Sequence, residues 1–363
     1  PCCPPVCFER GFPTDRCCTS AAYSEWAAID LLCGWDVFIT ANFIYWEAMQ
    51  GGMDLASPGQ GTIAGGILSN AALSAVGHHI LKQEFQYKPG FQVGLGWTGP
   101  IDNWVLYAEY TWLHGSTTTS GVALAPGVTA INGLALPQEG IWIPSNWFGN
   151  FDNVRTTSIS SGWKYKIDLV DAQVSRPYYS GTRFLVEPFF GLRGAWIRQH
   201  LHLTAANLSI SGLNPVPGPT RNAHYASRSA AVGPRVGMNG NWHLGYGLRF
   251  IGNAAGSLLF TTYDVSQTVE SPDTVGALRF PVSTEIHELN VLRPNLDLSL
   301  GLGWGSYFFC RRMHMDLAAT YDFSIFWEQN MMRYLADVTF DGSDGAPSNL
   351  YLQGLTIETR FDF

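Results

Sequence analysis

The chain has 363 residues, of which 14% are charged, and its formal net charge at pH 7 is -8. That charged fraction is well below the roughly 25% of a typical soluble domain, and the negative balance argues against a nucleic-acid partner. No run of about 18 apolar residues is present, which excludes a transmembrane helix. The mean hydropathy is near zero, and a membrane protein of this kind must place its apolar residues by alternation, as a closed barrel does.

Residues 1–34 are predicted to form a cysteine-rich segment outside the main fold, with a short helix near 24–32. Because the chain starts at Pro1 rather than Met, we take it as a processed form without its signal peptide. The cysteine doublets and the lack of nearby His argue against zinc and favour disulfides in an oxidising compartment. The disulfide candidates are Cys2, Cys3, Cys7, Cys17, Cys18, Cys33 and Cys310. Their odd number leaves at least one thiol free or bridged to another molecule.

Residues 35–363 are predicted to form ten long strands with period-2 alternation. The predicted strands run over 35–47, 85–97, 103–114, 157–174, 183–203, 227–238, 242–262, 286–303, 313–327 and 355–363. A turn is predicted at Asn239-Gly240-Asn241, and the seventh strand is predicted to bulge at Gly252. With ten strands, both termini and every short turn fall at one end and every long loop at the other, as in bacterial barrels. The loops 48–84 and 115–157 each have room for a strand pair, so 12–16 strands remain an alternative.

The last nine residues alternate without error. Leu355, Ile357, Thr359, Phe361 and Phe363 point one way, opposite Thr356, Glu358, Arg360 and Asp362. We expect Phe361 and Phe363 to be the signal that outer-membrane barrel-assembly machinery reads. The pattern predicts an all-β fold, a closed antiparallel transmembrane β-barrel with periplasmic short turns and external long loops. A large soluble β-sandwich is the alternative, since it also alternates.

Tryptophans close to the predicted strand ends indicate aromatic girdles at two membrane interfaces. They are Trp35, Trp97, Trp104, Trp112, Trp163, Trp196, Trp242 and Trp304. The charged residues assigned to the opposite, inward face are pore-lining candidates that would set ion preference. They are Glu109, Lys164, Lys166, Asp168, Arg183, Glu187, Arg193, Arg235, Arg249, Arg293, Asp297, Asp316, Asp322, Glu358 and Arg360. The alternative is a narrow barrel whose lumen is packed with paired ions.

A hydrolase is a further alternative, since His114 precedes Gly115-Ser116. A serine hydrolase also needs a group that orients the base, and neither G-x-S-x-G nor H-E-x-x-H is present. We therefore expect His114 to mark a strand end in contact with water. No enzyme activity, cofactor or metal is predicted.

Five segments resemble one known family when read in chain order. They are FIYWEA at 43–48, PGFQVGLGW at 89–97, WVLYAEYTWLH at 104–114, PFFGLRGAWIRQ at 188–199 and GPRVG at 233–237. They resemble the MOMP-like (major outer membrane protein-like) pore-forming family of Legionella and the environmental chlamydiae. The resemblance covers most of the chain from about residue 35. It implies an abundant outer-membrane barrel that passes small solutes by diffusion and is cross-linked in the envelope by disulfides.

The sequence thus predicts a porin-like channel of the bacterial outer membrane for small hydrophilic solutes and ions. The expected partners are outer-membrane lipid, the barrel-assembly machinery and disulfide-linked copies of itself or other Cys-rich envelope proteins. A structural or adhesive surface barrel with little conductance is the alternative, motivated by the Cys-rich start and the long loops of low charge.

Overall fold

The computed structural model describes ten long strands and the segments that flank them. The described residues are 29, 31, 36–61, 80–99, 103–122, 130–131, 134–135, 138–148, 156, 158–181, 183–206, 220–270, 281–308, 312–340 and 347–363. The strands are β1 (Val37–Gln50), β2 (Tyr87–Thr98), β3 (Val105–Val122), β4 (Ser158–Ser175), β5 (Phe184–Ala206), β6 (Thr220–Gly245), β7 (Leu248–Glu270), β8 (Val282–Phe308), β9 (Met313–Asn330) and β10 (Ser348–Asp362).

These strands form one closed, antiparallel, up-and-down barrel. Each strand pairs with its neighbours in the sequence, and the last strand pairs with the first, with Phe43 opposite Ile357 at the seam. Because every strand then has two partners, the barrel has no free edge. The predicted fold class and the count of ten strands are confirmed.

The two loops with room for additional strands contribute none to the barrel. Within the described residues, Asp54–Gly61 pairs with Leu81–Lys82 and with Gln138–Pro144 in a separate sheet of three strands. Ala130–Ile131 and Leu134–Ala135 form a small hairpin. The alternative of 12–16 barrel strands is therefore wrong.

Short connections collect at one end of the barrel, called here the short-turn end, together with Val37 and Asp362. The opposite, long-loop end holds the connections β1–β2, β3–β4, β5–β6, β7–β8 and β9–β10. At the short-turn end, the predicted place of the turn between β6 and β7 is wrong. The predicted turn residues Asn239-Gly240-Asn241 lie inside β6, and the chain turns instead at Tyr246-Gly247. The predicted bulge at Gly252 is also wrong, because the strand register is regular there. Tyr246 and Gly247 both have positive φ, at 54° and 82°, as a two-residue hairpin loop requires.

Outward side chains are apolar over most of the wall, and the alternation of the last strand is observed as predicted. Leu355, Ile357, Phe361 and Phe363 are exposed outward, whereas Thr356 and Asp362 are buried toward the lumen. Of the predicted girdle, Trp97, Trp104, Trp196, Trp242 and Trp304 are exposed. Trp112 is half-buried, and Trp163 is fully buried inside the barrel. Trp35 lies outside the described residues.

The lumen differs between its two halves. In the long-loop half the inward side chains, mainly of β4–β7, form an apolar core with segments that fold into the barrel mouth. These segments include the start of the separate sheet, where Met53, Leu55 and Ala56 are buried, the short 3-10 helix Asn146–Phe148, and the helix α1, Met331–Phe340, which directly follows β9. In the short-turn half the inward side chains are polar and charged. Most of the charged side chains of the lumen therefore lie in one half of the barrel.

Helices play a small part in the described chain. None of the described helices is long and apolar enough to cross a membrane. The predicted helix at 24–32 lies mostly outside the described residues, and its two described members, Ile29 and Leu31, have no regular secondary structure.

Candidate functional site

The short-turn half of the lumen encloses a cavity of about 290 Å³, which is the candidate functional site and is called here the chamber. Its walls are formed by side chains of all ten strands, with amides and hydroxyls such as Asn42, Gln92, Thr111 and Thr356 between the charged groups. The carboxylates are Glu109, Asp171, Glu187, Asp297, Asp316, Asp322 and Glu358, and the guanidiniums are Arg193, Arg235, Arg249 and Arg360. Seven carboxylates against four guanidiniums leave a formal excess of three negative charges.

An ionic layer crosses the lumen at the inner limit of the chamber. Arg193 on β5 donates two hydrogen bonds to Asp171 on β4, from Nε to Oδ1 at 2.7 Å and from Nη2 to Oδ2 at 2.6 Å. Its remaining Nη1 lies 2.6 Å from Oδ2 of Asp297 on β8. Arg235 on β6 donates from Nη2 to the same Asp297 oxygen at 3.1 Å and lies 3.7 Å from Asp171. Two arginines and two aspartates thus join strands from opposite parts of the wall.

Polar neighbours complete the hydrogen bonding of this layer. Asn295 accepts from Arg193 Nη1 at 2.6 Å, and Ser324 donates to Asp297 at 2.7 Å. Buried charges need both a partner and further hydrogen bonds if they are to be tolerated. The layer meets that requirement, so it is a fixed part of the wall.

The adjoining part of the wall carries carboxylates with weaker neutralisation, and one of them, Glu109 on β3, lies directly opposite Asp171 of the layer in the strand register. Glu109 accepts a hydrogen bond from the Tyr107 hydroxyl at 2.6 Å and a longer one from Asn42 at 3.5 Å, and neither donor is charged. Glu358 lines the same wall, two residues from Arg360. The guanidinium of Arg360 donates to Asp362 Oδ1, from Nη2 at 2.7 Å and from Nε at 2.9 Å. Within the described residues neither Glu109 nor Glu358 forms an ion pair, and the same holds for Glu187 and Asp322, which accept hydrogen bonds from hydroxyls.

A second ion pair lies closer to the short-turn end. Arg249 on β7 pairs with Asp316 on β9. His314, also on β9, has Nδ1 2.9 Å from Oδ2 of Asp362 on β10. These contacts link strands near the short-turn end of the chamber.

The long-loop limit of the lumen is an apolar layer, called here the plug, formed by Trp147, Phe148 and the buried face of α1. Trp147 is fully buried, and its ring packs edge-on against Tyr225 at 4.8 Å. The Tyr225 hydroxyl donates to the Trp147 carbonyl at 2.6 Å, and Arg221 donates to the Phe148 carbonyl at 3.1 Å. The buried side chains of α1 are Met331, Met332, Leu335 and Ala336, with Asp337.

The plug is held to the wall by a small number of polar contacts. Asn146 donates to Asp337 of α1 at 3.3 Å, which joins the two inserted segments. Arg293 pairs with Glu328 at the end of β9 and donates to the Met331 sulfur at 3.7 Å. The plug therefore depends mainly on apolar packing, with Arg293 as one of its polar anchors.

Most of the predicted pore-lining residues point into the lumen. Glu109, Glu187, Arg193, Arg235, Arg249, Asp297, Asp316, Asp322, Glu358 and Arg360 line the chamber. Arg293 points inward but lies beside the plug. Arg183 lies in the turn before β5, is exposed, and is not among the chamber residues.

Three pore-lining assignments on β4 are wrong. Lys164, Lys166 and Asp168 face outward, because the inward positions of this strand are Trp163, Tyr165, Ile167 and Leu169. The prediction equated apolar with outward, whereas the long-loop half of the lumen is itself apolar. Sequence reasoning also missed Asp171, although the alternation of Val170, Ala172 and Val174 with Asp171 and Gln173 indicates an inward carboxylate there.

His114 also faces outward. Its Nε2 lies 3.2 Å from Asp168 Oδ1 on the neighbouring strand, and Ser116 is exposed. All seven cysteines lie outside the described residues. Within the described ranges no group of three or more His, Cys, Asp or Glu side chains is arranged to hold a metal ion.

Comparison with known proteins gives one match by sequence family. The family model described as Legionella pneumophila major outer membrane protein precursor matches residues 32–363. No curated protein matches the chain.

Solved outer-membrane barrels are similar in fold at very low identity. The outer membrane protease OmpT from Escherichia coli is 8% identical, with 90% of this chain and 96% of that chain covered and a TM-score of 0.37. A major outer membrane protein from Thermus thermophilus is 10% identical over 89% and 99%, with a TM-score of 0.27. The Pseudomonas putida toluene transporter TodX is 9% identical over 90% and 88%, with a TM-score of 0.29. At these scores none of the three structures informs the activity of this chain.

Proposed function

This chain belongs to the family of the Legionella pneumophila major outer membrane protein, and we propose that it is a restricted porin-like channel of the bacterial outer membrane. The chamber is the single observation that carries the proposal. A barrel that serves only as a structural element gains nothing from a cavity of about 290 Å³ with three excess negative charges. Small hydrophilic solutes and cations fit the size and sign of this chamber. The transport is passive and involves no chemical reaction.

The proposed path runs from the short-turn end through the chamber and past the ionic layer to the plug. Barrel diameter grows with strand number, so ten strands leave a lumen that side chains from opposite walls can bridge, as Arg193 and Asp297 do. We infer that solutes pass only when the inserted segments Asn146–Phe148 and α1 move aside. The expected openings are therefore small and infrequent.

Single-channel recording on the purified protein in a planar bilayer tests the proposal. We expect discrete openings with higher permeability for K⁺ than for Cl⁻. A barrel that stays silent at every voltage and in both orientations would rule out the channel.

A structural barrel with little conductance is the second candidate. The cross-lumen layer of Arg193, Asp171, Asp297 and Arg235 and the buried plug favour it. The two candidates differ in one outcome. If the variant Trp147→Ala/Leu335→Ala folds and remains silent, the structural role is preferred over the channel.

Disulfide cross-linking within the envelope is proposed in addition. The support is the sequence alone. Cys2, Cys3, Cys7, Cys17 and Cys18 lie in a segment that we expect in the periplasm, and the total number of cysteines, seven, is odd. Non-reducing electrophoresis of whole envelopes should show oligomers that reductant dissolves. A wholly monomeric band without reductant would contradict the proposal.

Recognition of the last strand by the assembly machinery is likewise proposed. Phe361 and Phe363 are both exposed on the outward face at the short-turn end, 37% and 40%, where another protein can reach them during insertion. Phe363→Ser should reduce the amount of folded barrel in outer membranes, whereas Leu355→Ser on the same face should have a smaller effect. Equal losses in the two variants would argue against a terminal signal.

A further inference from the structure

The outward wall carries a row of like charges across three adjacent strands. Lys166 on β4 lies directly opposite Arg198 on β5, and Arg198 lies directly opposite Arg228 on β6. His114 on β3 and Asp264 on β7 flank the row. All three cations are exposed. Lys164, two residues along β4 toward the long-loop end, adds a fourth cation to what is called here the cationic row.

Carboxylates of the described chain do not neutralise this row. None of its four cations forms an ion pair within the described residues. Asp168 accepts a hydrogen bond from Tyr110 at 2.7 Å and lies 3.2 Å from His114. Asp264 accepts from the backbone N–H of Glu288 at 3.2 Å. Like charges directly opposite each other across strands are destabilising, and among the described residues no carboxylate pairs with the row, so an added anion would stabilise it.

The height of the row places it at a membrane interface. One step closer to the short-turn end, the same strands present Trp112 and Trp196. Below them the outward residues are apolar, among them Val170, Val232 and Phe260. At about 3.3 Å per residue and a tilt of about 40°, Phe184–Trp196 spans roughly 30 Å along the membrane normal. Trp196 and Phe184 therefore mark the two interfaces, and the cationic row lies just beyond the acyl chains.

The leaflet follows from the topology. Bacterial outer-membrane barrels have their short turns in the periplasm and their long loops outside. The cationic row is on the long-loop side of the apolar band, at the level of the outer-leaflet headgroups. The only headgroup chemistry that satisfies four closely spaced cations is anionic, and the planar fork of Arg matches a phosphate group in particular.

We propose that Lys166, Arg198 and Arg228, with Lys164, bind the phosphate groups of an anionic lipid of the outer leaflet. A lipid is preferred to a soluble anion because the row faces the bilayer and stands directly on Trp112 and Trp196, side chains that favour the boundary between acyl chains and headgroups. Phosphates between the strands convert the repulsion along the row into attraction. This binding does not depend on whether the barrel conducts.

Lipid binding by matched variants tests the proposal. The test variant is Lys166→Gln/Arg198→Gln/Arg228→Gln. The control removes three exposed cations elsewhere, Lys82→Gln/Arg183→Gln/Arg312→Gln, so both proteins lose the same net charge. A conservative variant, Lys166→Arg/Arg198→Lys/Arg228→Lys, keeps the charge of the row.

The measurement is the apparent Kd of each folded protein in neutral detergent for three probes: a diphosphorylated glycolipid, the same glycolipid with its phosphates removed, and inorganic phosphate. Heat-modifiable electrophoretic mobility checks the fold. We expect the test variant to bind the phosphorylated lipid on the order of a hundredfold more weakly than wild type. The reason is that it lacks three cations, each of which contributes about 1 kcal/mol close to an anionic lipid surface. The control should match wild type, and the conservative variant should stay within about tenfold of it.

Three results would overturn the proposal. Equal affinity of wild type for the lipid with and without phosphates would show that the acyl chains alone are recognised. Binding of inorganic phosphate as tight as that of the phosphorylated lipid would make the row a soluble-anion site. An equal loss in the test and control variants would reduce the effect to net charge.

Discussion

Arg193 on β5 and Asp297 on β8 lie 2.6 Å apart across the lumen, although β6 and β7 separate their strands along the wall. Both side chains are largely buried, at 5% and 21% exposure. Their contact joins two strands that are not neighbours in the wall and narrows the lumen at this level. Under the proposed channel function, stability and permeability would therefore depend on the same group of residues.

Removal of Arg193 should destabilise the barrel strongly. Arg193→Gln leaves Asp171 and Asp297 without their main partner, and the loss of one member of a buried pair costs about 3–5 kcal/mol. The free energy of unfolding can be measured by urea titration in detergent with tryptophan fluorescence. Arg183→Gln, at the exposed turn before β5, is the matched control and should change it by less than about 0.5 kcal/mol.

Arg235→Gln should cost less than Arg193→Gln. Arg235 shares the same aspartates at 3.1 and 3.7 Å, but each aspartate keeps its shorter contact with Arg193. If the two substitutions destabilise the barrel equally, the layer is not organised around Arg193.

The hairpin between β6 and β7 should be intolerant of a side chain at Gly247. Its φ is +82°, and a Cβ there would lie 2.4 Å from the Gly305 carbonyl oxygen. Gly247→Ala should therefore lower the free energy of unfolding by at least about 1–2 kcal/mol. Gly162→Ala is the control, because a Cβ at Gly162 meets nothing within 4 Å. Equal stability of the two variants would mean that the turn differs from the one described.

The closed barrel was predictable because the outward side chains of every strand contact the same environment, the lipid. Lipid demands apolar side chains at every second position, so strands such as β10 show their period without other information. The same rule hid the turn at Tyr246-Gly247. A loop of two residues keeps Leu244 and Leu248 in phase, so the alternation runs through the hairpin as if it were one strand.

The inward face was less predictable because its environment changes along the lumen. On β4 the residues from Ile167 to Val170 are apolar at three of four positions, and local alternation does not say which face meets the plug. The pairing of Arg193 with Asp171 and Asp297 depends on barrel closure and diameter. No spacing within a single strand encodes such a contact.

Ion preference should follow the free carboxylates of the chamber. Glu109→Gln/Glu358→Gln lowers the formal excess from three negative charges to one, so the ratio of K⁺ to Cl⁻ permeability should fall toward unity. The reversal potential under a salt gradient measures this ratio. Glu270→Gln, at the exposed end of β7, is the control and should leave it unchanged. An unchanged ratio in the double variant would place the selective part of the path elsewhere.

The plug should control both stability and opening, and one helix offers a matched pair of substitutions. Leu335 on α1 is 1% exposed, whereas Val338, three residues along the same helix, is 39% exposed. Leu335→Ala leaves a cavity among Trp147 and its neighbours and should cost about 2–5 kcal/mol. Because α1 is held by few polar contacts, this loss should also raise the fraction of time that the channel is open in single-channel records. Val338→Ala should change neither quantity. If Leu335→Ala destabilises the barrel but leaves the open fraction at the wild-type value, the inserted helix is a structural brace and the path for solutes does not pass it.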